Sequence, residues 1–297
     1  MCRVVDLQQA VLAKNQDSAT ALREDLLARG TAVVNLLSSP GSGKTALLEA
    51  ELTEARRRAI PVAALTADLA TENDARRLAR SGAPVRQVLT DGLCHLEADM
   101  LRAHVDAWLP APSRLLFVEN VGNLVCPASY DLGESLRVVL ASVTEGEDKP
   151  LKYPTAFGLA QLVIITKQDI AEAVGFDEAA FLANVRQVNP GVEVLHTSAR
   201  RGEGVGLLLD RALAVRDGDP AHQPVMARQA EQHGHTHSHS HGPGHSHGPA
   251  HSHGPAHAHG AAHAHGPGHS HENDDHTHPH DHAGHPHVHT PPSPTAS

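Results

Sequence analysis

The chain has 297 residues, with 24 Lys+Arg against 34 Asp+Glu and a formal charge of −10 when histidine is neutral. That acidic balance argues against a general nucleic-acid binder, which presents a basic surface. Cys2, Cys94 and Cys126 are too few for a disulfide scaffold, no apolar run reaches transmembrane length, and Met1-Cys2-Arg3 opens no secretory core, so a cytoplasmic protein with free thiols and no membrane association is expected.

Apolar positions at helical spacing run from Val5 to Arg29 (Val5, Leu7, Val11, Leu12, then Leu22, Leu26, Leu27) as one helix or two, with Ser18 the candidate cap of the second part and Gly30 the stop. Thr31–Leu37 reads as a buried strand, Ser38–Lys44 as a small-residue turn, and Thr45–Arg58 as a helix. Strand-like runs then recur at Pro61–Leu65, Val85–Leu89, Arg114–Val118, Val138–Val143, Leu162–Thr166 and Val192–His196. Helical stretches fall at Glu72–Arg80, His95–Trp108, Asp177–Val188 and Val205–Val215. This alternation predicts an α/β fold of the P-loop NTPase type, a mostly parallel sheet with helices on both faces and ligands at the carboxyl ends of the strands. All but four of the 26 histidines (His95, His104, His196, His222) lie beyond Gln223, among Gly, Pro, Ala, Ser and Thr. The expected organisation is an N-terminal helical segment 1–30, a nucleotide-binding domain 31–222 and a disordered histidine-rich tail 223–297, because the tail has too little apolar surface to offset ordering entropy.

The turn Ser38-Ser39-Pro40-Gly41-Ser42-Gly43-Lys44-Thr45 sits between a strand and a helix, the context a phosphate-binding loop needs. Gly41 and Gly43 let successive N–H groups, Ser42 among them, turn inward; Lys44 reaches the β/γ-phosphates and Thr45 offers a hydroxyl to Mg²⁺. Ser38 stands where the usual pattern has glycine, which is acceptable if its backbone angles are ordinary. After the strand Leu162–Thr166, the run Thr166-Lys167-Gln168-Asp169 is similar to the Asn-Lys-x-Asp guanine-reading motif. Asp169 would accept from guanine N1–H and the 2-amino group, a donor pair adenine lacks, while Lys167 lies along the base. Thr197-Ser198-Ala199-Arg200, after a further strand, is similar to the segment that supports the base, with Ser198 and Ala199 as contacts.

Glu119-Asn120-Val121-Gly122 ends another apolar strand. Its carboxylate is placed to hold Mg²⁺, and Gly122 gives the following loop freedom to respond to γ-phosphate. Cys94-His95 joins soft sulfur to borderline nitrogen, a pair suited to Ni²⁺ or Zn²⁺, and Cys126 is the natural third ligand, four residues past Gly122. In the tail, histidine recurs mostly at every second residue, as in His235, His237, His239 and His241, which suits binding of several Ni²⁺ or Zn²⁺ ions.

The run Glu119-Asn-Val-Gly-Asn-Leu-Val-Cys-Pro127 resembles the HypB family of nickel-incorporation GTPases in hydrogenase maturation. Asp68-Leu-Ala-Thr71-Glu-Asn73-Asp74, Gly92-Leu-Cys94-His95-Leu and Thr144-Glu-Gly-Glu-Asp-Lys149-Pro-Leu-Lys152-Tyr-Pro resemble it too, in order along Val5–Ala214. The resemblance implies a GTP-promoted homodimer with the Cys-His ligands at its interface, and delivery of nickel to a nickel accessory protein or the hydrogenase large-subunit precursor. It further implies that Asp68 lies near Mg²⁺ and the γ-phosphate and orients the attacking water, and that Lys152 reaches the partner subunit's nucleotide. Some relatives begin with Cys-x-x-Cys-Gly-Cys; this chain has only Cys2, whose thiol and freed amine would chelate metal weakly once Met1 is removed. In histidine-rich relatives the tract usually lies near the N-terminus, not at the C-terminus as here. Three rival expectations are a nickel or zinc store, a urease-type nickel GTPase and a small-molecule P-loop kinase. The urease type carries Cys-Pro-His where this chain has Cys126-Pro127-Ala128.

Overall fold

A computed structural model describes residues 2–68, 73–90 and 94–227, apart from the side chains of residues 2–8 and Asp68. The tail positions His235, His237, His239 and His241 lie outside the described residues, as do Gly92 and Thr71. The elements are α1 (Cys2–Ala28), β1 (Ala32–Ser38), α2 (Lys44–Arg57), β2 (Val62–Asp68), α3 (Asn73–Ala79), β3 (Val85–Leu89), α4 (Ala98–Trp108) and β4 (Leu115–Glu119). They continue with β5 (Leu136–Ser142), α5 (Lys149–Lys152), α6 (Pro154–Gly158), β6 (Leu162–Thr166), α7 (Glu178–Val188), β7 (Glu193–His196) and α8 (Leu207–Arg216). Short 3₁₀ turns occupy Pro127–Ser129 and Gln168–Ile170.

The seven strands form one parallel sheet in the order β3-β2-β4-β1-β5-β6-β7. Because helices cover both faces, all seven residues of β1 are buried and the strand is apolar at nearly every position instead of alternating. Its pleat divides the side chains: Val34 and Leu36 join a core with Leu47, Leu48 and Leu52 of α2 and Leu208 and Leu209 of α8. Val33 points the other way, into a core with Leu22 and Leu26 of α1 and Leu101 and Val105 of α4. A third cluster under α6 and α7 holds Leu37, Phe157 and Phe181, the two rings edge to face at 6.3 Å.

The N-terminal segment is a single helix, and its last turns are part of the core: Ala19 and Leu22 are fully buried and Leu26 nearly so. Truncating Leu22 to alanine would cost about 2–5 kcal/mol. The helix ends in a Schellman turn: Gly30 has φ +76, its N–H bonds to the Leu27 carbonyl at 2.9 Å, and the Thr31 N–H bonds to that of Leu26 at 2.8 Å. On the other face, Glu51 of α2 is fully buried and accepts the backbone N–H of Gly206 at 3.0 Å and of Leu209 at 3.1 Å, so α2 caps the amino end of α8. Burial pushes this carboxyl up to about 7 despite those amides.

After α8 the chain stays packed beyond the expected boundary at 222. His222 Nε2 pairs with Asn189 Oδ1 at 2.8 Å, Asn189 donates to the Phe157 and Ala160 carbonyls at 2.8 Å each, and Met226 fills the space beside Gly158 that a Cβ would need. Gly158 precedes β6 and Asn189 precedes β7, so this packing lies at the amino-terminal ends of the strands. Among the described residues no helix is long and apolar enough to cross a membrane.

Candidate functional site

The loop between β1 and α2 lies at the carboxyl end of the central strand, where the sheet order reverses direction. Gly41 (φ +74) and Gly43 (φ +93) take left-handed backbone angles that side chains disfavour, and that curl turns the loop around. Ser38 does not need glycine: it is the last residue of β1, paired in register with Leu140, and its backbone has no positive φ. A cavity of 480 Å³ is lined by Ser38 to Ala46, Ala67, Asp74, Arg77 and Glu119 to Gly122.

Lys44 and Thr45 open α2 into this cavity. Thr45 Oγ1 donates to Glu119 Oε1 at 2.6 Å. The register sets Glu119 beside Leu36 of β1 and Thr66 of β2, and the carboxyl is only 2% exposed. Burial raises its pKa, while the Lys44 ammonium and the Thr45 hydroxyl pull the other way. Glu119 Oε2 and Thr66 Oγ1 are buried without a hydrogen-bond partner. The Thr45 hydroxyl and the buried Glu119 carboxylate, with one oxygen unpartnered, are hard donors that fit Mg²⁺. The backbone of Asp68 closes β2 next to Ala67 of the cavity wall; its side chain lies outside the described residues.

The residues expected to face the base converge on the same loop. Thr166 Oγ1 donates to the Ser42 carbonyl at 2.5 Å, and Lys167 Nζ donates to the Gly41 carbonyl at 2.7 Å. Ser198 Oγ donates to Asp169 Oδ1 at 2.7 Å, and that bond holds the half-buried Asp169 carboxyl below the usual range. The Gln168 N–H bonds to the Thr197 carbonyl at 3.1 Å, so the strand ends bearing Asp169 and Ser198-Ala199 are joined through backbone as well. Lys152 stands apart on α5, exposed and paired with Asp148 at 2.8 Å.

The thiol pair is also brought together. Cys94 opens the described segment that follows β3, Cys126 precedes the 3₁₀ turn, and the neighbouring Cys126 thiol is the main cause of a raised Cys94 pKa. His95 Nδ1 is 3.7 Å from Cys94 Sγ, its ring stacks on Tyr130 at 3.9 Å, and its buried Nε2 has no hydrogen-bond partner. Among the described residues no three Cys, His, Asp or Glu side chains stand close enough to hold a metal ion, so Cys94, His95 and Cys126 do not form a metal-holding group within one chain. Gly122, four residues before Cys126, packs close to the phosphate loop: a Cβ on Gly122 would lie 3.3 Å from Pro40 Cα. Cys2 starts α1, with its side chain outside the described residues.

Two charged side chains of the cavity wall carry no role expected from the sequence, Asp74 and Arg77. They arrive on α3, and Arg77 is paired with Glu49 of α2 at 2.7 Å. The only local signal was the Asn73-Asp74 pair at a helix start.

Residues 32–196 match the family model described as CobW/HypB/UreG, nucleotide-binding domain. A hydrogenase maturation factor HypB from Azotobacter chroococcum mcd 1 is 46% identical over 204 residues, covering 69% of this chain and 67% of the relative. The factor of the same description from Escherichia coli K12 is also 46% identical, covering 68% and 70%. Among solved structures, HypB from Helicobacter pylori in complex with nickel superposes with a TM-score of 0.65 at 36% identity, over 71% of this chain and 99% of that one. Hydrogenase maturation factor HypB from Archaeoglobus fulgidus gives 0.63 at 36% identity, over 69% and 100%.

Proposed function

The chain belongs to the HypB family of hydrogenase maturation factors, nickel-binding GTPases within the CobW/HypB/UreG group, and from that premise we propose that it uses a GTP cycle to gate nickel at Cys94, His95 and Cys126. The observation that carries this reading is the contact of Gly122 with Pro40, which joins the nucleotide loop to the turn bearing Cys126.

Gly41, Ser42 and Gly43 cradle the phosphates, and Pro40 shapes the loop's entry. Lys44 neutralises charge that develops on the β/γ-oxygens. Thr45 and Glu119 hold Mg²⁺, which when bound neutralises further phosphate charge. Asp68 orients the attacking water. Asp169, aimed by Ser198, reads guanine, with Ala199 supporting the base through its backbone and Lys167 along the ring. Stabilisation of charge by a preset cradle accounts for hydrolysis without covalent chemistry on the protein.

Nickel is the cargo. Since the described residues of one chain bring no three such ligands close enough to hold a metal ion, the site is completed by a second subunit, and Val125, 63% exposed next to Cys126, supports an apolar contact there. GTP closes that homodimer, Lys152 reaches across to the partner's nucleotide, and hydrolysis releases nickel to an accessory protein or the hydrogenase large-subunit precursor in the cytoplasm. Zn²⁺ competes for the same ligands. Cys2 contributes a weak site at most. The tail from 223, with His235, His237, His239 and His241, accumulates Ni²⁺ through imidazoles, outside the nucleotide domain of residues 31–222 and the helical segment 1–30.

The test compares GTP and ATP hydrolysis and nickel-thiolate absorption in wild type, Lys44→Ala and Cys94→Ala. Preference for GTP, loss of turnover in the first variant and loss of the thiolate signal in the second are expected. A nickel signal indifferent to GTP against GDP would sink the gating.

A further inference from the structure

Cys94-His95 and Cys126 come from segments far apart in the chain, and something must hold them in register. The segment after His95 leads into α4, whose own N-cap residue, Glu97, makes no side-chain cap bond. The orphan N–H at the start of α4 is instead taken by another helix: the Ala98 N–H donates to Asn15 Oδ1 of α1 at 2.9 Å. The other end of the same amide faces the second metal-bearing segment, since Asn15 Nδ2 donates to the Asp131 carbonyl at 2.8 Å. Asn15 is 8% exposed, so neither bond competes freely with water.

The Asp131 segment is fixed on its other sides. Arg23 of α1 grips the Asp131 carboxylate at 2.6 Å. Arg137 of β5 donates to the Tyr130 carbonyl at 3.0 Å and to the Ala128 carbonyl at 2.9 Å. Tyr130 then lays its ring on His95. One amide therefore ties a point four residues after Cys94 to a point five residues after Cys126. An amide is the side chain that can do so, because it presents a donor and an acceptor together, whereas a carboxylate only accepts and a hydroxyl is too short.

We propose that Asn15 is a positioning residue for the nickel site, setting the separation of the Cys94–His95 and Cys126 segments. The proposal rests on the reading of those three residues as nickel ligands. It makes α1, which lies outside the matched nucleotide-binding region, a working part of the metal centre. Partners that orient metal ligands without touching the metal typically control about 10–100-fold of affinity.

The experiment titrates the full chain, in a Cys2→Ser background, with Ni²⁺ alone and reads thiolate-to-nickel charge-transfer absorption, to which histidines contribute nothing. Asn15→Ala is expected to weaken apparent affinity at that band about tenfold or to displace the band, with GTP affinity unchanged within about twofold. Asn15→Asp retains the acceptor for Ala98 but cannot donate to Asp131; it is expected to behave like Asn15→Ala and covers the case in which alanine impairs folding. A wild-type band and midpoint in either folded variant overturns the proposal, as does a parallel loss of GTP binding, which would mark general destabilisation. Cys94→Ala and Cys126→Ala identify the band. If it survives both, the ligand assignment itself is wrong and the proposal falls with it, an outcome separable from failure of Asn15 alone.

Discussion

Lys167 donates to the carbonyl of Gly41 across 126 positions of sequence, at 2.7 Å, so the segment proposed to read the base sits directly on the loop proposed to hold the phosphates. The bond holds Lys167 in a left-handed conformation (φ +59), uncommon for a residue with a side chain and worth roughly 1–2 kcal/mol of strain. Thr166, at the neighbouring position, adds its hydroxyl bond to Ser42. Nucleotide recognition is therefore built as one piece and not as two independent halves.

Lys167→Gly separates the strain from the brace. Glycine relieves the backbone but loosens the unfolded chain, so stability should stay within about 1 kcal/mol of wild type in denaturant melts. GTP affinity should fall about tenfold, measured by fluorescent-nucleotide titration, because the tie to Gly41 is gone.

Asp169→Asn turns one acceptor into a donor. GTP turnover should fall at least ~100-fold while xanthosine triphosphate, whose 2-position carbonyl accepts, becomes the better substrate. Ser198→Ala removes only the bond that aims the carboxylate and should raise KM for GTP several-fold with little effect on kcat. Equal losses on GTP and ATP in Asp169→Asn would disprove base reading by this residue.

Lys44→Ala should reduce kcat by about a hundredfold or more, since an electrostatic donor aimed at developing charge is removed. Thr45→Ala should shift the Mg²⁺ requirement to higher concentration, read from turnover against added Mg²⁺. Thr45→Ala should also lower stability by about 1–3 kcal/mol, because it leaves the buried Glu119 carboxyl without its donor.

Glu51 predicts a pH effect of defined sign. Its folded pKa, raised from 4.5 to about 7 by burial, means that the folded chain holds the proton more tightly than the unfolded chain. The contribution is fully present below about pH 4.5 and is lost as pH rises through about 7, amounting to roughly 3 kcal/mol. Denaturant unfolding of wild type and Glu51→Gln at pH 5 and pH 8 isolates the group: wild type should lose stability relative to the variant at the higher pH. A difference between the two that does not change with pH would rule this out.

Gly122→Ala adds a methyl group 3.3 Å from Pro40 Cα, a contact that forces backbone to give by a few tenths of an ångström. KM for GTP should rise several-fold, and the nickel-thiolate absorption should lose its response to exchange of GDP for GTP. Retention of that response would show that the link runs elsewhere.

The fold was legible wherever chemistry was local. Val85–Leu89 and Leu162–Thr166 are strands with the ends their apolar runs predict, and the phosphate loop is recognisable because cradle, lysine and threonine are contiguous. The helix expected from His95 begins only at Ala98, since His95 is held by its stack on Tyr130 and Ala98 by Asn15, contacts that no local pattern records. Helices α5 and α6, of four and five residues, are too short for periodicity to reveal. Asp74, Arg77 and Asn15 were invisible as site residues for a related reason: each reaches its site from a distant helix, and their polar side chains look like ordinary solvated positions until the tertiary structure sets them in place.

Met226 docks beside Gly158, where a methyl group on the glycine would collide with its sulfur. That contact sits at the end of the sheet opposite the phosphate loop, with the length of a strand, about 15–20 Å, lying between, so Gly158→Ala should disturb the packing around Met226 and leave the loop intact.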